Sequence, residues 1–351
     1  LPGEGIGPEI TAAAVEVLRA VASRAGIEFA IRQGGAIGTA ATAACGEPLT
    51  SQVVAFCESA FADGGAILCG PGGGRFVYDL RARFDLYCKL IPIRPMPALN
   101  DIGALRPAAR DGVDLLIVRE NTGGCYYGQW SRHTHPDGTA EAHHSFRYRD
   151  GEISRVIRVA ARLARGRRQR LALVVKPAAM PAVSQLWTEL FHQFVGDQDL
   201  DTQVLEVDNA GYQIVAAARD FDVVVAPNHF GDILGDVAAL LLGSRGVSHS
   251  ANCGPSGRAV FQTAHGAAWD LTGKGTANPI GMILAAAMML RESFGMLEAA
   301  SAIESAIART LAADVRTADV AAPGSTVVGC LEMGQRIAEN LALRPQALSI
   351  A

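Results

Sequence analysis

Apolar positions along the chain switch repeatedly between helical and strand-like spacing. Behind Pro8, which suits a first helical turn, Ile10, Ala14, Val17, Leu18 and Val21 mark an amphipathic helix that Gly26 ends. Ile27–Arg32 alternates as a strand does, and Pro48–Thr50 precede a second helical pattern at Val53, Val54, Cys57 and Phe61. Ala66–Cys69, Val113–Arg119, Leu171–Val175, Thr202–Val207 and Phe221–Ala226 read as strands. Pro181 opens a helix with Val183, Trp187, Leu190, Phe191 and Phe194 on one face, most simply core. Pro279 opens another, with Ile280, Ile283, Ala287 and Leu290, and two more helical patterns lie within Leu297–Leu311 and Thr326–Leu341. Strands alternating with helices predict an α/β architecture with functional residues at strand C-terminal ends. Lys176, Asp208 and the segment from Asn228 fall at such ends.

That last segment, Asn228–Leu240, carries Asp232 and Asp236 four residues apart among apolar residues at helical spacing (Ile233, Leu234, Val237, Leu240, Leu241). Four apart on a helix places both acids on one face, where like charges repel by about 0.2–0.5 kcal/mol unless a cation lies between them. No Lys or Arg lies within a turn on that face. Two acids favoured by a helix dipole, or a divalent-metal site of hard oxygen ligands, both fit this spacing. The glycine-rich Gly70–Arg75 follows a strand, as ligand-contacting loops of α/β sheets do, yet neither it nor Gly3–Pro8 matches the GxGxxG fingerprint. Phe261–Asn278 reads as a loop. Gln129–Asp150 is polar, lacks a helical period and reads as a protruding arm or hairpin, whose His133, His135, His143 and His144 are expected to be solvated. The basic run Arg165–Arg170 has no interleaved aromatics and reads as a solvated helix end.

Composition narrows the class. The 351 residues are enough for two domains, and 49% apolar with 19% charged residues describes an ordinary globular protein. With 31 bases against 35 acids the net charge is −4, which gives no overall attraction to nucleic acid or anionic membrane. Seven scattered cysteines without a CxxC pair point to reduced thiols in a cytoplasmic setting rather than to a disulfide framework or zinc site. No apolar run reaches a membrane span. The opening LPGEGIGPEI begins where a strand would end, so a strand is expected ahead of Leu1.

GEGIGPEI, LRARFDLYCKL, VRENTGGCYYG, the strand ending in Lys176, VDNAG, NHFGDILGD and HGAAWDLTGKGTANP, in this order, resemble the β-decarboxylating hydroxyacid dehydrogenases, the isocitrate/isopropylmalate dehydrogenase family. The resemblance covers nearly the whole chain and implies an isopropylmalate dehydrogenase-like fold of two α/β domains, with a central mixed sheet flanked by helices. The larger would combine 1–86 and 243–351 and carry most of the cofactor site. The smaller, 87–242, would carry the dimer contacts and the arm at 129–150, with active sites shared across a homodimer. By position, Asp232 and Asp236 match the pair that binds Mg²⁺ or Mn²⁺, and Asp208 matches a third carboxylate from the other subunit. Lys176 matches the lysine, also from across the dimer, that handles the hydroxyl proton, and Tyr126 the tyrosine that protonates the enol carbon. Arg81 and Arg119 match arginines that grip the carboxylates of a malate-type 2-hydroxy acid. His265, Gly266, Asp270 and Asn278 lie in the matching cofactor loop, where an acid such as Asp270 is the NAD pattern, suiting a ribose 2′-hydroxyl and repelling a 2′-phosphate.

Three positions depart from the family pattern. Ile91 stands where a further carboxylate-binding arginine is expected, and isoleucine cannot supply a bidentate fork. Arg94 or Arg75 is expected to substitute, and Arg75, in the loop that selects the substituent on the malate carbon, suggests a polar or anionic substituent. Lys-Pro-Ala at 176–178 replaces Lys-Ala-Asn, and GEGIGPE replaces GDGIGPE. The expected substrate is a 3-isopropylmalate-like acid, with tartrate, D-malate, isocitrate, homoisocitrate or a specialised-pathway analogue as alternatives. A catalytically silent ligand-binding or regulatory relative is the alternative of a different class.

Overall fold

The computed structural model describes residues 1–196 and 199–342. In chain order the elements are α1 (Gly7–Ala25), α2 (Gly38–Cys45), α3 (Ser51–Ala62), β1 (Ile67–Cys69), α4 (Phe76–Phe84), β2 (Cys88–Ile93) and β3 (Leu115–Glu120). Next come β4 (Gln129–Thr134), β5 (Ala140–Ser145), α5 (Asp150–Arg165), β6 (Arg170–Val175), α6 (Pro181–Val195), β7 (Asp201–Glu206), α7 (Val207–Ala216), β8 (Val223–Ala226) and α8 (Asn228–Ala238). β9 (His249–Cys253), β10 (Ala259–Thr263), α9 (Ile280–Phe294), α10 (Leu297–Ala312) and α11 (Cys330–Glu339) follow.

Eight strands form one mixed sheet in the order β1-β10-β9-β2-β3-β8-β6-β7. The pairs flanking β2 and the β9–β10 pair are antiparallel, and the others are parallel. Strands from 1–86 and 243–351 lie on one side of the β9–β2 junction and those from 87–242 on the other. The central strands read as apolar runs because helices cover both faces. α9 packs against β9 and β10 with α1 against α9, and α5, α6 and α8 cover the other half. α9 is buried from Ile280 through Leu290 on every side, as its lack of a polar face requires. α1 ends as expected, with Gly26 left-handed and its N–H on the Ala22 carbonyl. Trp187 is fully buried, edge-on to Tyr148 at 5.5 Å between ring centroids.

Several sequence expectations need correction. Ile27–Arg32 forms no ladder; its backbone hydrogen bonds among the described residues are local, from Ile27 N–H to the Ala22 carbonyl and from Ile31 N–H to the Phe29 carbonyl. Alternation supplies a face, but a strand also needs a neighbour, and β1 already pairs with β10. The segment instead borders a cavity of about 1070 Å³ with Leu18, Phe56 and Leu68, and none of the candidate site residues lines it. Asp208 lies in the first turn of α7 rather than at a strand end, because β7 stops at Glu206. Phe261–Thr263 belong to β10, so the predicted loop starts later. The last helix begins only at Cys330, behind the extended Gly329. In the basic run, Arg167 Nε and the Arg168 N–H bind the buried Asp222 carboxylate at 2.7 and 2.8 Å, so these two residues satisfy a buried acid. Ile233 and Leu240, at apolar helical spacing, are 55% and 48% exposed.

The arm is the antiparallel hairpin β4–β5, and every residue of both strands is exposed. His144 Nε2 lies 2.6 Å from the Cys125 carbonyl and His135 pairs with Glu141, so these two histidines have partners within the chain. Among the described residues no helix is long and apolar enough to cross a membrane.

Candidate active site

The site is built where α8 lies on β3. Every residue of β3 is buried, so Arg119 at its C-terminal end is a guanidinium only 1% exposed. Such a charge needs close partners. Nε and Nη2 donate to Asn228 Oδ1 at 3.0 and 2.7 Å, and Nη1 pairs with Asp232. Asn228, the first residue of α8, is fixed in turn: its N–H donates to the Tyr148 hydroxyl and Nδ2 to the Gly123 carbonyl, both at 3.0 Å. α8 approaches this closely because it presents glycine to the sheet. A Cβ on Gly231 would sit 2.8 Å from Arg119 Cβ, and one on Gly235 2.9 Å from Ile91 Cδ1.

One turn along α8, Asp232 accepts the Tyr126 hydroxyl at Oδ2, 3.0 Å away. Burial raises the Asp232 carboxyl, but Arg119, Lys89, the Tyr126 hydrogen bond and Arg81 outweigh it and hold the group below the usual carboxylate range. Burial and the adjacent Asp232 charge push Tyr126 upward, so its phenol keeps its proton. Asp236, half exposed, pairs with Arg245 at 2.9 Å. The two acids are thus not bare, as the helix alone suggested: cations reach them from β3 and from beyond α8.

Arg81, in the last turn of α4, is 4% exposed and donates from Nε to Asn252 Oδ1 at 3.2 Å; burial, then Arg119, pushes it down to about 10. Lys89 on β2 lies between Arg119 on β3 and Asn252 on β9 in the ladder, and burial, then Arg81 and Arg119, depresses its ammonium well below the usual lysine range. Arg75 lies at the rim, its guanidinium 5.0 Å from both the Tyr78 and Trp130 rings and Nη2 3.4 Å from the Tyr126 carbonyl. Arg94 is not part of this group. It follows the far end of β2, five residues from Lys89 and so about 17 Å along a strand, and it pairs with Asp114 at 2.8 Å. The expectation that Arg94 replaces the missing arginine is corrected accordingly. Ile91 itself packs beneath Gly235 of α8.

Lys176 and Asp208 form a second cluster. Lys176 Nζ donates to Asp208 Oδ1 at 2.8 Å and to Glu206 Oε2 at 2.6 Å. The hydrogen bonds to Asp208 and then Glu206 raise the lysine, and the Lys176 bond lowers Asp208. No hydrogen bond or ion pair joins this cluster to Asp232 or Tyr126 among the described residues.

Around the loop after β10, three loops converge. Ile6 N–H donates to the Ala267 carbonyl at 2.9 Å and Glu4 N–H to Pro71 at 2.7 Å. A Cβ on Gly5 would lie 2.1 Å from the Ala267 carbonyl oxygen, and one on Gly70 2.0 Å from that of Pro2. Both glycines serve this backbone contact. Glu4, at the GEGIGPE departure, is 7% exposed and accepts the N–H groups of Thr39, Ala40 and Gly73, fastening α2 to the glycine loop. Asp270 and Gly266 are exposed, and His265 Nε2 is buried with no hydrogen-bond partner among the described residues. Asn278 uses its amide within the chain, donating to Asp319 at 3.1 Å and accepting Ile280 N–H at 3.0 Å as α9 begins.

These residues fit the groups that the sequence pattern implies. Asp232 and Asp236 give two hard oxygen donors on one helix face, with side chains 43% and 56% exposed, suited to Mg²⁺ or Mn²⁺. Among the described residues no third His, Cys, Asp or Glu completes a set within one chain. The orphaned His265 Nε2 offers a partner to a ligand at the convergent loops.

Sequence reasoning missed Asn228 and Asn252, which hold Arg119 and Arg81, and it missed Lys89. A lysine inside the apolar run Cys88–Ile93 was the available signal: one residue from either neighbour and two from Ile91, it faces the same side as Ile91.

The sequence model of the isocitrate/isopropylmalate dehydrogenase family matches residues 1–337. The chain is 40% identical to the 3-isopropylmalate dehydrogenase of Parasynechococcus marenigrum over 97% of its own length and 98% of that protein. It is 39% identical to the Geobacillus kaustophilus enzyme of the same name over 96% of this chain and 93% of that one. The crystal structure of isocitrate dehydrogenase from Methylococcus capsulatus superposes with a TM-score of 0.85 at 32% identity, covering 97% of each chain. With the Tyr126–Asp232–Arg119 network in place, this chain belongs to the isocitrate/isopropylmalate dehydrogenase family of decarboxylating hydroxy-acid dehydrogenases.

Proposed function

We propose that the protein is a homodimeric, NAD- and divalent-metal-dependent enzyme that oxidatively decarboxylates a 3-substituted (R)-malate-type 2-hydroxy acid. The observation that carries this reading is the Tyr126–Asp232–Arg119 network, where a protonated phenol, a low-pKa carboxylate and a buried guanidinium meet. Arg81 and Arg119 hold the substrate carboxylates as charge-assisted partners. When bound, the cation held by Asp232 and Asp236 supplies a Lewis acid for the hydroxyl and the enolate, and NAD supplies the hydride acceptor. Lys176, once released from its Asp208 hydrogen bond and deprotonated to solvent, takes the hydroxyl proton, the β-carboxylate leaves as CO₂, and Tyr126 returns a proton to the carbon it left.

Two features favour a shared dimer site. No hydrogen bond or ion pair joins the Lys176–Asp208 cluster to Tyr126 among the described residues, and a second copy would bring it to the site, with Asp208 as the third carboxylate. The hairpin exposed on both faces, together with exposed Tyr212, Ile233 and Leu240, offers apolar and backbone surface for that copy. We place the cleft between a domain of 1–86 and 243–351 and one of 87–242; residues 343–351 of the former lie outside the described residues. The exposed acid Asp270 favours NAD over NADP, with His265 and Gly266 beside it in the same loop. Arg75 at the rim favours a polar or anionic substituent over a plain isopropyl group. Seven free thiols suit a cytoplasmic setting.

Turnover of a panel (3-isopropylmalate, D-malate, tartrate, isocitrate, homoisocitrate) with NAD and Mn²⁺ tests the reading. NADH formation on one member is expected. Binding of a member without turnover of any would replace the enzyme with a silent ligand-binding relative, the reading that Ile91 favours.

A further inference from the structure

We infer that Lys89 is a substrate-binding residue, its ammonium taking one carboxylate of the diacid in place of an arginine. This rests on the hydroxy-diacid reading above. Lys89 is 5% exposed and forms no hydrogen bond or ion pair with any described residue. Residues directly opposite in a ladder point to the same face, so Lys89 shares its face with Arg119 and Asn252. That face carries α8 and, through Asn252, Arg81.

Charge counting makes the case specific. Arg81, Lys89 and Arg119 are three buried cations, 4%, 5% and 1% exposed. The acids acting on Lys89 are Asp232, already paired with Arg119, and Asp236, already paired with Arg245. Buried cations without counter-charge are costly, and among the described residues only Arg119 of these three has an acid of its own: Arg81 binds the neutral Asn252 amide and Lys89 has no partner. A dicarboxylate supplies the missing anion. Arg119 and Arg81 spend donors on Asn228 and Asn252, while all three Lys89 donors remain for a ligand. Ile91, on the same face of β2, fills the space beneath Gly235 with an apolar side chain, leaving Lys89 as the cation that this strand gives to the site.

The test is calorimetric binding of D-malate and of D-lactate, which lacks the β-carboxylate, to the full chain, its Lys89→Met variant and its Lys89→Arg variant. The wild type is expected to prefer malate. Lys89→Met should lose about ten- to a hundredfold of malate affinity, the worth of one charged hydrogen bond, with lactate changed less than threefold, and Lys89→Arg should recover most of the preference. Because methionine keeps the unbranched apolar stem and removes an unpaired buried charge, the variant should melt no lower than wild type. A Lys89→Met protein that still prefers malate as the wild type does, or that loses malate and lactate equally, overturns the role of Lys89 alone. Wild-type protein that binds neither acid, with Mn²⁺ or without it, overturns the hydroxy-diacid reading and this inference with it.

Discussion

Replacing Gly231 or Gly235 by alanine is the same chemical change in the same helix, yet the two sites face different neighbours. Alanine is favoured over glycine inside a helix by about 1 kcal/mol. At Gly231 the new methyl would sit 2.8 Å from Arg119 Cβ and Cγ and 3.3 Å from its Cα, atoms fixed by β3 at the centre of the sheet. Either α8 or β3 must move, at the about 1–3 kcal/mol typical of overpacking, and the move displaces the Arg119–Asp232 pair. At Gly235 the methyl meets only Ile91 Cδ1 at 2.9 Å, the far end of a side chain that can rotate for about 0.5–1.5 kcal/mol. Net of the helix gain, Gly235→Ala should lie within about 0.5 kcal/mol of wild type, and Gly231→Ala should lose up to about 2 kcal/mol. Urea midpoints at one fixed protein concentration, with unchanged slopes, measure both. Catalytic efficiency should fall about a hundredfold for Gly231→Ala if Arg119 shifts by about 1 Å. Equal destabilisation by the two variants, or a fully stable and active Gly231→Ala, would refute the packing assigned to α8.

Other outcomes follow from the same geometry. Tyr126→Phe should lower kcat by about 10²–10⁴-fold with KM little changed, measured at saturating cofactor. Mixing Tyr126→Phe with Lys176→Met subunits should restore about a quarter of wild-type activity, since half the dimers are mixed and each carries one intact site of two; no recovery after verified exchange would place the whole site in one chain. Mn²⁺ at a hundredfold excess over its Kd should stabilise the wild type by about 2.7 kcal/mol and leave Asp232→Asn unchanged, read as a shift in melting temperature. Burial lowers His249 from 6.5 to about 4, so the unfolded chain takes the proton first. Its contribution is complete above pH 6.5 and is lost as pH falls toward 4, by at most about 3 kcal/mol; His249→Gln should flatten that slope in urea midpoints.

The strand and helix sequence was readable because buried strands leave apolar runs and amphipathic helices leave a 3.6-residue period. The same signals failed where tertiary context decides. Ile27–Arg32 has the alternation of a strand without the neighbour that makes one. Ile233 and Leu240 have the spacing of a buried face but point outward, and spacing cannot tell a core from a subunit contact. In the site, Asp232 and Asp236 stood out through their helical spacing, and Tyr126, Lys176 and Asp208 through the resemblance to the family's motifs. The residues that hold the arginines did not: Asn228 and Asn252 lie 109 and 171 residues from Arg119 and Arg81. Arg94 had the right charge in the right stretch of sequence, and only the structure shows that it lies just past the far end of β2, paired with Asp114.

The most direct test of the central claim is the stoichiometry of NADH and CO₂ on the best substrate, followed with and without a metal chelator. The account predicts one CO₂ released for each NADH formed, with both abolished by chelation and restored by Mn²⁺. NADH without CO₂, or turnover that a chelator leaves untouched, would contradict it.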